Sequence, residues 1–404
     1  MIVLEDEKRR VVKSENYNTF FNKKTGFFAR WGKTEDDDPI QAPMPEIADI
    51  EISSGLCHNS CPFCYKNNSA NKELHNMTLN QFKNIFHKLA KTVVILLLDN
   101  DVDEKPVVLV KPLEKEFYEK FNTKQEIIEH IKSITTLPVK AIKIQNQGLL
   151  SQIAFGITSP YDNPDFFKMM EYAREFDVIP NYTINGTDMT EEVADKTVEL
   201  CGACAVSCCS DLEKTYNAVK LLTDRGLKQV NIHCVAMQTT YDLIIKLIND
   251  VASEDIRVKD LNAIVLLKYK PKGTNAGKFK PLTLEQYKTI FNFAREKKVG
   301  LGFDSCSAPV YLETIKDETT FEKMAAYAEP CESTLFSIYI NSYGECSPCS
   351  FTENECRDWC DWDKGISVLN SPDFESIWNN ERIKSFRERL LSNGRKCPMF
   401  NLED

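Results

Sequence analysis

The sequence predicts an α/β protein: a partial, TIM-like (β/α)6 barrel that carries an inserted α/β subdomain and is followed by a small C-terminal α+β domain. From about residue 48, short apolar segments alternate with amphipathic ones, a pattern typical of parallel strands joined by right-handed helical crossovers. The alternation is interrupted over residues 92–150 and ends near residue 310, which predicts the insertion and the separate C-terminal domain. In barrels of this kind, chemistry takes place at the C-terminal ends of the strands.

The individual strands and helices of the barrel follow from periodicity and from capping residues. Seven apolar segments have the length and composition of strands: residues 48–54, 151–156, 178–184, 203–208, 229–235, 261–267 and 300–304. Amphipathic helices are predicted between them, at residues 78–90, 165–175, 212–225, 241–252 and 283–297. Thr78 with Gln81, and Thr283 with Gln286, form capping boxes that start two of these helices, and Gly226 stands where a helix C-cap belongs.

Residues 48–310 are therefore assigned to the barrel, with residues 92–150 as its insertion, and residues 311–404 to the C-terminal domain. Residues 1–47 are predicted to form an N-terminal β-hairpin extension, whose acidic run at 35–39 is a solvated loop. Within the insertion, residues 99–104 have the first acidic positions of a calcium loop but lack its glycine and its closing glutamate. Calcium is not expected there.

Composition and charge limit the class of protein. With 404 residues, 42% of them hydrophobic, the chain has enough apolar side chains for a large core. Its net charge of -10 and its dispersed lysines are unlike a nucleic-acid-binding surface, so nucleic acid is not an expected partner. The longest strongly apolar run, residues 92–98, is too short to cross a membrane, and the charged N-terminus is unlike a secretion signal. The sequence therefore predicts a soluble, cytoplasmic protein.

The cysteines indicate metal binding. The cytosol keeps thiols reduced, so fifteen cysteines in a cytoplasmic protein are not expected to form disulfides. Three of them, Cys57, Cys61 and Cys64, stand in one loop after the first barrel strand, where their thiolates can bind an iron-sulfur cluster or zinc. Only His58 and His75 are close enough in sequence to complete a zinc site, and neither has zinc-finger spacing. A 4Fe-4S cluster with three cysteine ligands and one open iron is the simpler prediction.

The segment CHNSCPFC, with Phe63 before the third cysteine, resembles the Cx3CxφC signature of the radical S-adenosylmethionine (radical SAM) superfamily, in which φ is aromatic. The resemblance implies that S-adenosylmethionine binds the open iron through its methionyl group. It also implies that the reduced 4Fe-4S cluster cleaves this cofactor to a 5'-deoxyadenosyl radical, which abstracts hydrogen from a substrate. Zinc or a purely structural cluster is the alternative.

The same resemblance implies cofactor contacts at the ends of the next strands. Family members have a GGE-type turn after the second strand, whereas FGITSP in this chain keeps Gly156 and has Ser159 in place of the glutamate. A serine hydroxyl can accept a hydrogen bond from the methionyl ammonium, but without the charge assistance of a carboxylate. The segments INGT and AVSCCSD are similar to strand ends that contact the cofactor, which implies that Asn185 and Ser207 lie near it. An ordinary Asn-Gly turn and a packed serine are the alternatives.

Six cysteines are concentrated toward the C-terminus: Cys331, Cys346, Cys349, Cys356, Cys360 and Cys397. The spacing from Cys331 through Gly344 to Cys349 resembles the opening of the SPASM and twitch extensions of radical SAM enzymes, which hold auxiliary 4Fe-4S clusters. Six thiolates suffice for one cluster with four cysteine ligands, and not for two. The expected ligands are Cys331, Cys349, Cys397 and Cys360, with Cys356 as the alternative to Cys360 and Cys346 pointing away. A zinc knuckle is the other interpretation.

The other cysteines are predicted to be mostly inert. Cys306 and Asp304 follow the last barrel strand, where they could supply a hydrogen atom or act as an acid-base pair, and a packed thiol is the alternative. The remaining cysteines are expected to be buried and to pack as small hydrophobes: Cys201, Cys204, Cys208, Cys209 and Cys234.

These features together predict a radical SAM enzyme of the oxidoreductase or maturase type. Its architecture is similar to that of family members that modify peptides or proteins, so a peptide or protein is the expected substrate, and flavodoxin or ferredoxin the expected electron donor. A small molecule or nucleobase is the alternative substrate. A pseudoenzyme, which retains its clusters for structure or electron transfer, is a further alternative suggested by Ser159.

Overall fold

The computed structural model describes residues 2–59, 61–98, 107–208, 211–253 and 255–400. The acidic segment 99–104 and Cys209, both considered above, lie outside the described residues. The chain starts with four short antiparallel strands paired in sequence order: β1 (Ile2–Glu5), β2 (Arg9–Lys13), β3 (Asn18–Asn22) and β4 (Phe28–Trp31). Where the sequence predicted a hairpin, the N-terminal extension is therefore a four-stranded sheet, and the acidic run at 35–39 follows its last strand. All four strands have only four or five residues, so the apolar alternation in each is weak.

Arg10 fastens this sheet to the rest of the protein. Its side chain is 2% exposed, and its guanidinium donates to the carbonyl oxygens of Asn146 and Gly148 at 3.0 and 2.8 Å. It also pairs with Glu5 at 2.8 Å. A buried guanidinium requires such partners because its charge is otherwise costly to desolvate.

The next elements start the barrel and then leave it. In chain order they are β5 (Ile47–Glu51), β6 (Ser53–Ser54), β7 (His75–Asn76), α1 (Leu79–Ala90), β8 (Thr92–Leu98), β9 (Val107–Pro112), α2 (Lys115–Lys120), α3 (Lys124–Ile134) and β10 (Val139–Asn146). Strands β8, β9 and β10 pair antiparallel in the order β10-β8-β9 and form a sheet separate from that of the barrel. The insertion is thus a small α/β unit of its own.

The chain then returns to strict alternation of strand and helix. The elements are β11 (Gln152–Gly156), α4 (Phe166–Glu175), β12 (Ile179–Asn185), α5 (Glu191–Leu200), β13 (Ala203–Cys208), α6 (Leu212–Asp224), β14 (Val230–Ala236), α7 (Tyr241–Ala252), β15 (Ala263–Lys268), α8 (Leu284–Lys297) and β16 (Leu301–Phe303), with a 3-10 turn at Gln238–Thr240. Thr78 and Thr283 make the predicted capping boxes of α1 and α8. Gly226 follows α6 with φ +94°, a conformation that glycine adopts without strain.

The C-terminal part is built from short elements: α9 (Ala308–Ile315), α10 (Phe321–Ala325), β17 (Ser337–Ile340), β18 (Glu345–Ser347), β19 (Cys356–Arg357), β20 (Cys360–Asp361), β21 (Ile366–Ser367), α11 (Glu375–Trp378) and α12 (Glu381–Ser392). Strands β17 and β18 form a hairpin, and Gly344 lies in its turn with φ +76°. The turn requires a backbone conformation that residues with a Cβ rarely adopt.

One large sheet joins the barrel to this C-terminal part. Its strand order is β16-β15-β14-β13-β12-β11-β5-β17-β18-β21, and all pairs from β16 to β17 are parallel. Strand β17 occupies the side of β5 at which a closed barrel would continue, so the sheet remains open. This arrangement confirms the predicted fold class, a partial α/β barrel. In the part of the chain that the structure describes, no helix is long and apolar enough to span a lipid bilayer.

Candidate active site

A cavity of about 520 Å³ lies at the C-terminal ends of the barrel strands. It brings together residues from the cysteine loop and from the ends of β5, β11, β12, β13, β14 and β15. Residues named from the sequence that line it are Cys57, Cys61, Phe63, Cys64, Gly156, Asn185, Ser207 and Asp304. Ser159 does not line it. The lining residues that sequence reasoning missed include Asp49, Glu51, Lys66, Thr158, His233, Lys270 and Tyr339.

The cysteine loop is held in place by its own backbone. The Cys57 N–H donates to the carbonyl oxygen of Ser69, and the Cys64 N–H to that of Cys61, each at 3.1 Å. The Gly55 N–H donates to the side-chain oxygen of Asn68 at 3.1 Å. These bonds fold the loop back on itself, so that three cysteines close in sequence face one cavity.

The loop that follows β15 packs over the cysteine loop. Gly273 has φ +94° and lies so close to the carbonyl oxygen of Cys64 that a Cβ at this position would clash with it. The side-chain amide of Asn275 donates to the carbonyl oxygen of Pro62 at 2.7 Å. Phe63 packs edge-on against Phe279, with ring centroids 6.3 Å apart. The position of the cysteine loop therefore depends on a segment more than 200 residues away in sequence.

The donor set suits a cluster. Among the described residues, no group of three or more His, Cys, Asp or Glu side chains is arranged around a single metal ion. A cubane cluster does not need such convergence, because each thiolate binds a different iron. Three thiols on one loop, all lining a cavity with room for a cofactor, have the composition expected for a cluster with one open iron. The structure is consistent with this group at Cys57, Cys61 and Cys64.

Lys66 is the centre of a buried ionic network beside the loop. Its ammonium donates to Glu51 at 3.1 Å and to the hydroxyl of Tyr339 at 2.5 Å, and it also pairs with Glu353. The Tyr339 hydroxyl donates to Glu51 at 2.8 Å. Burial works to lower the pKa of Lys66, but the carboxylates, Glu51 foremost, raise it overall. The network ties together β5, the cysteine loop and the C-terminal hairpin.

The turn after β11 places Thr158 at the cavity, where the sequence predicted Ser159. Gly156 is needed because a Cβ there would lie 3.0 Å from the Cα of Glu51 on the neighbouring strand. Thr158 lines the cavity, and its hydroxyl donates to the carboxylate of Asp162 at 2.5 Å. The Ser159 hydroxyl instead accepts from the backbone N–H of Tyr161 at 3.4 Å, within its own turn. The hydroxyl-bearing residue of this turn that lines the cavity is therefore Thr158, not Ser159.

Asn185 and Ser207 both line the cavity at the ends of adjacent strands. The Asn185 side chain also stabilises its own turn: it accepts from the Thr187 N–H at 2.9 Å and donates to Asp188 at 2.8 Å. Its turn-forming role and its place in the cavity wall are thus compatible. Cys201, Cys204, Cys208 and Cys234 are all 5% exposed or less, as expected for packed thiols, although Cys208 reaches the cavity wall.

Two titratable groups on the inner face of the barrel have shifted pKa values. Asp49 is exposed to solvent within the cavity, but desolvation by the surrounding protein raises the pKa of its carboxyl to about 6. Burial lowers the pKa of His233 to about 4, which the Asp304 carboxylate opposes. The histidine nitrogen Nδ1 lies 3.4 Å from the Thr183 hydroxyl. At neutral pH the interior therefore presents a neutral imidazole and an aspartate that ionises less readily than usual.

A second cavity, of about 580 Å³, lies between the end of the barrel and the C-terminal part. Cys306, Cys331 and Cys397 line it, together with basic residues that include Lys268 and Arg395. Cys349 interacts electrostatically with these three cysteines. Three of the cysteines expected in an auxiliary site are thus together, and Cys306 is with them.

The other C-terminal cysteines lie elsewhere. Cys356 is exposed on the β19-β20 hairpin, where its thiol contacts Asp361 at 3.1 Å. Cys360, on the second strand of that hairpin, contacts the sulfur of Met399 at 3.7 Å. Cys346 is fully buried in β18 and belongs to the hydrophobic core. Neither Cys356 nor Cys360 lines the cavity that holds Cys331 and Cys397.

Asp304 and Cys306 face different cavities. Asp304 accepts from the backbone N–H groups of Lys268 and Ser307 at 3.1 and 2.9 Å, and from the Lys270 ammonium at 3.2 Å. Burial raises the pKa of the Cys306 thiol to about 12, an effect that Lys270 opposes. The carboxylate is thus committed to fixing this turn, and the two residues do not form an isolated acid-base pair.

Comparisons with known proteins agree with this architecture. The SPASM family, described as an iron-sulfur cluster-binding domain, matches residues 331–399. The crystal structure of Streptococcus suis SuiB is similar with a TM-score of 0.60 at 11% identity, over 95% of this chain and 90% of that chain. SuiB bound to precursor peptide SuiA gives 0.57 at 12% identity, over 95% and 89%. Native anSMEcpe with bound AdoMet and Kp18Cys peptide gives 0.51 at 15% identity, over 88% and 87%.

No curated protein sequence matches the chain. The SPASM match confirms the prediction that the C-terminal region is an iron-sulfur domain of this type. The structural similarity extends over nearly the whole chain and confirms the predicted fold. At such low identity, similarity of fold leaves the chemistry of the site to be argued from its own residues.

Proposed function

We propose that this protein is a radical SAM enzyme that modifies a peptide or protein. The observation that carries the proposal is the cavity at the strand ends, in which Cys57, Cys61 and Cys64 face residues from the neighbouring strands. The SPASM domain, which packs its first hairpin against β5, supports the same conclusion. An iron-sulfur domain joined directly to the sheet that bears a three-cysteine loop is an arrangement suited to redox chemistry.

Each group in the cavity has a proposed task. Cys57, Cys61 and Cys64 hold a 4Fe-4S cluster, which when bound supplies an open iron and the electron that cleaves S-adenosylmethionine. Phe63 packs beside the cluster and shields it from water. The protein-derived contacts to the cofactor come from the strand ends.

Gly156 allows β11 to pack closely against Glu51 of β5, and so places the turn after β11 beside the cofactor. The Thr158 hydroxyl accepts a hydrogen bond from the methionyl ammonium. The family turn implies this role for the next residue, Ser159. Asp162 accepts the proton of the Thr158 hydroxyl in a hydrogen bond, so the hydroxyl oxygen serves as an acceptor toward the cofactor. Asn185 and Ser207 contact the ribose and the methionyl carboxylate.

The proposed substrate is a peptide or protein. SuiB has been seen with its precursor peptide SuiA, and anSMEcpe with a Kp18Cys peptide, and both resemble this chain over most of its length. A small flavodoxin or ferredoxin is the proposed electron donor.

The test is reductive cleavage of S-adenosylmethionine by anaerobically reconstituted protein, measured as 5'-deoxyadenosine. We expect cleavage by the wild type and by Cys201→Ala, which removes a packed thiol outside both cavities. We expect none by the variant in which Cys57, Cys61 and Cys64 are all alanine. Equal 5'-deoxyadenosine from that variant would refute the assignment, and cluster binding without any cleavage by the wild type would identify a pseudoenzyme.

The substrate class has a separate test. A lysate of the source cells is divided by ultrafiltration, and each fraction is tested for stimulation of 5'-deoxyadenosine formation. Stimulation by the retained fraction, abolished by prior protease treatment, is the result expected for a peptide or protein substrate. Stimulation confined to the filtrate and insensitive to protease would assign the enzyme to small molecules.

A further inference from the structure

The second cavity is lined by thiols from two parts of the molecule, the C-terminal domain and the end of the barrel. Cys331 and Cys397 belong to the region matched by the SPASM family, whereas Cys306 precedes it and stands at the end of the barrel. All three line the same cavity of about 580 Å³. Cys349 does not line this cavity, but its thiol lies close enough to Cys306, Cys331 and Cys397 to interact with them electrostatically. Neither Cys356 nor Cys360 is among the main electrostatic partners of Cys306, Cys331 or Cys349.

We propose that Cys306 is the fourth ligand of the auxiliary iron-sulfur cluster, with Cys331, Cys349 and Cys397 as the other three. The proposal extends the proposed function by naming a ligand. It depends on that function for one assumption only, that the C-terminal domain holds one such cluster. Iron replaces the thiol proton of each ligand, and the proton leaves to solvent with no change in the oxidation state of the cysteine. One ligand thus comes from the barrel and three from the C-terminal domain.

The cysteines expected from sequence spacing are placed less well for this role. Cys360 contacts Met399, and it is Met399, not Cys360, that lines the cavity. Cys356 is exposed, and its nearest polar partner is the carboxylate of Asp361 on the same hairpin. The side chain of Met399 therefore separates the hairpin from the cavity in which the other thiols meet.

The backbone at Cys306 is fixed in a tight turn after β16. The Ser307 N–H donates to the Asp304 carboxylate at 2.9 Å, and the Ser307 hydroxyl donates to the carbonyl oxygen of Leu266 at 3.2 Å. The Asp304 N–H donates to the same carbonyl oxygen at 3.2 Å. A turn anchored at both ends presents its thiol in one direction, as a ligand position requires.

A buried cation next to Cys306 supports the assignment independently of the cysteines. The Lys270 side chain is 4% exposed, pairs with Asp304 at 3.2 Å and lies 4.2 Å above the ring of Phe351. The ammonium is thus held in a buried position beside Cys306 by a carboxylate and an aromatic ring. A cubane with four thiolate ligands carries net negative charge, and a fixed ammonium beside one ligand offsets that charge in a poorly solvated site.

The assignment gives the turn after β16 a role in joining two parts of the molecule. Asp304 lines the first cavity, Cys306 lines the second, and Lys268 lines both. A cluster bound at Cys306 therefore fixes a wall of the first cavity through a single turn of backbone. Loss of the cluster would loosen this wall.

The test uses protein in which Cys57, Cys61 and Cys64 are alanine, so that only the auxiliary iron remains. In this background Cys360→Ala and Cys356→Ala should each retain about four irons per chain, as a complete cubane requires. Cys306→Ala should either lose iron or keep a cubane with one open iron, and in both cases the electron paramagnetic resonance spectrum of the auxiliary cluster should change. Full iron with an unchanged spectrum in Cys306→Ala, or a changed cluster in Cys360→Ala when Cys306→Ala leaves it unchanged, would overturn the proposal.

A second measurement needs no substitution and so is independent of folding defects. The intact, cluster-loaded protein is alkylated under anaerobic conditions before and after removal of iron by a chelator, and modified cysteines are identified by mass spectrometry. We expect Cys356 to react in both states and Cys306 to react only after chelation, together with Cys331, Cys349 and Cys397. Alkylation of Cys306 in the loaded protein would exclude it as a ligand. Both measurements follow auxiliary iron alone, so they succeed or fail regardless of S-adenosylmethionine cleavage.

Discussion

The two groups of cysteines in this protein are assembled in opposite ways. Cys57, Cys61 and Cys64 lie within eight consecutive residues, and local backbone hydrogen bonds turn them toward one cavity. The thiols of the second group are drawn from residues 306–397 and meet where the turn after β16 packs against the C-terminal part. A local loop can be recognised from its spacing, whereas a site assembled across domains requires the fold.

The two groups are nevertheless connected by a chain of side-chain contacts. Tyr65, next to Cys64, stacks on Phe351 with ring centroids 4.0 Å apart, and its hydroxyl donates to Ser350 at 3.2 Å. Phe351 in turn contacts Lys270, which lies beside Cys306. The comparison can therefore be tested by perturbing one group and measuring the other.

The largest effect is expected from Gly273→Ala, which should damage the first group and spare the second. A Cβ at Gly273 would clash with the carbonyl oxygen of Cys64, so the cysteine loop must move. A displacement of ~1 Å in a positioned site can cost about a hundredfold in rate, and we expect a loss of that order in 5'-deoxyadenosine formation.

Gly277→Ala is the matched control. Gly277 also has positive φ, +80°, but a Cβ there meets nothing within 4 Å. Both variants therefore impose similar backbone strain, and only Gly273→Ala adds the clash. Equal loss of cleavage in the two variants would show that backbone strain, not contact with the cysteine loop, is responsible.

The second prediction concerns the ionic network that joins the groups. Lys66→Met leaves Glu51 and Glu353 buried without their cation, and breaking a buried pair in this way costs about 3–5 kcal/mol. The thermal unfolding midpoint should fall clearly, and adding Glu51→Gln should restore part of the loss. The control is Lys196→Met, because Lys196 also lies between two carboxylates but is 41% exposed. A midpoint no lower for Lys66→Met than for Lys196→Met would contradict the network's role.

A smaller effect is expected at the aromatic contact between the groups. Phe351→Leu removes the stack with Tyr65, which is worth about 0.5–1.5 kcal/mol beyond burial of area. Tyr65→Phe keeps the stack and loses only the bond to Ser350, about 1 kcal/mol. If the stack couples the groups, Phe351→Leu changes the electron paramagnetic resonance spectra of both clusters, while Tyr65→Phe changes neither. Identical spectra for Phe351→Leu and wild type would show that the contact carries no coupling.

The smallest effect is a pH dependence at Asp49, in the interior of the first cavity. The protein around the cavity raises the pKa of Asp49 from 3.8 to about 6, so ionisation is less favourable in the folded protein than in the unfolded chain. The side chain is exposed to solvent in the cavity, which screens its charge and keeps the effect small. Stability contributed by this group is therefore greatest at low pH and is lost as the pH rises through about 6. Asp49→Asn should be more heat-stable than the wild type near pH 8 and should lose most of that advantage near pH 4, as measured by paired thermal scans. An advantage that is constant with pH would rule out ionisation as its cause.

Much of the fold was predictable because its signals are local. The predicted strand at 203–208 coincides with β13, and Thr78 and Thr283 form the capping boxes that start α1 and α8. The N-terminal sheet was underestimated because its strands are short and flanked by charged residues. The pairing of β17 with β5 could not be predicted, since nearly 300 residues separate them and no local pattern records their contact.

The functional sites show the same division between features with a local sequence signal and features that depend on long-range contacts. Cys57, Cys61, Cys64 and Phe63 were identified by spacing and all line one cavity. Lys66 was missed because a single lysine after a cysteine motif looks like a solvated residue until Glu51 and Glu353 are seen around it. The proximity of Cys306 to Cys331 carries no sequence signal, because it depends on where the last barrel strand ends relative to the C-terminal domain.

The central claim is that one chain holds two separate clusters, one local and one assembled. It is tested most directly by iron content after anaerobic reconstitution of three proteins: the wild type, the Cys57, Cys61 and Cys64 triple alanine variant, and the Cys331 and Cys349 double alanine variant. The account predicts about eight irons per chain in the wild type and about four in each variant, with 5'-deoxyadenosine formation lost in the triple variant. About twelve irons in the wild type, or simultaneous loss of all iron in either variant, would contradict it.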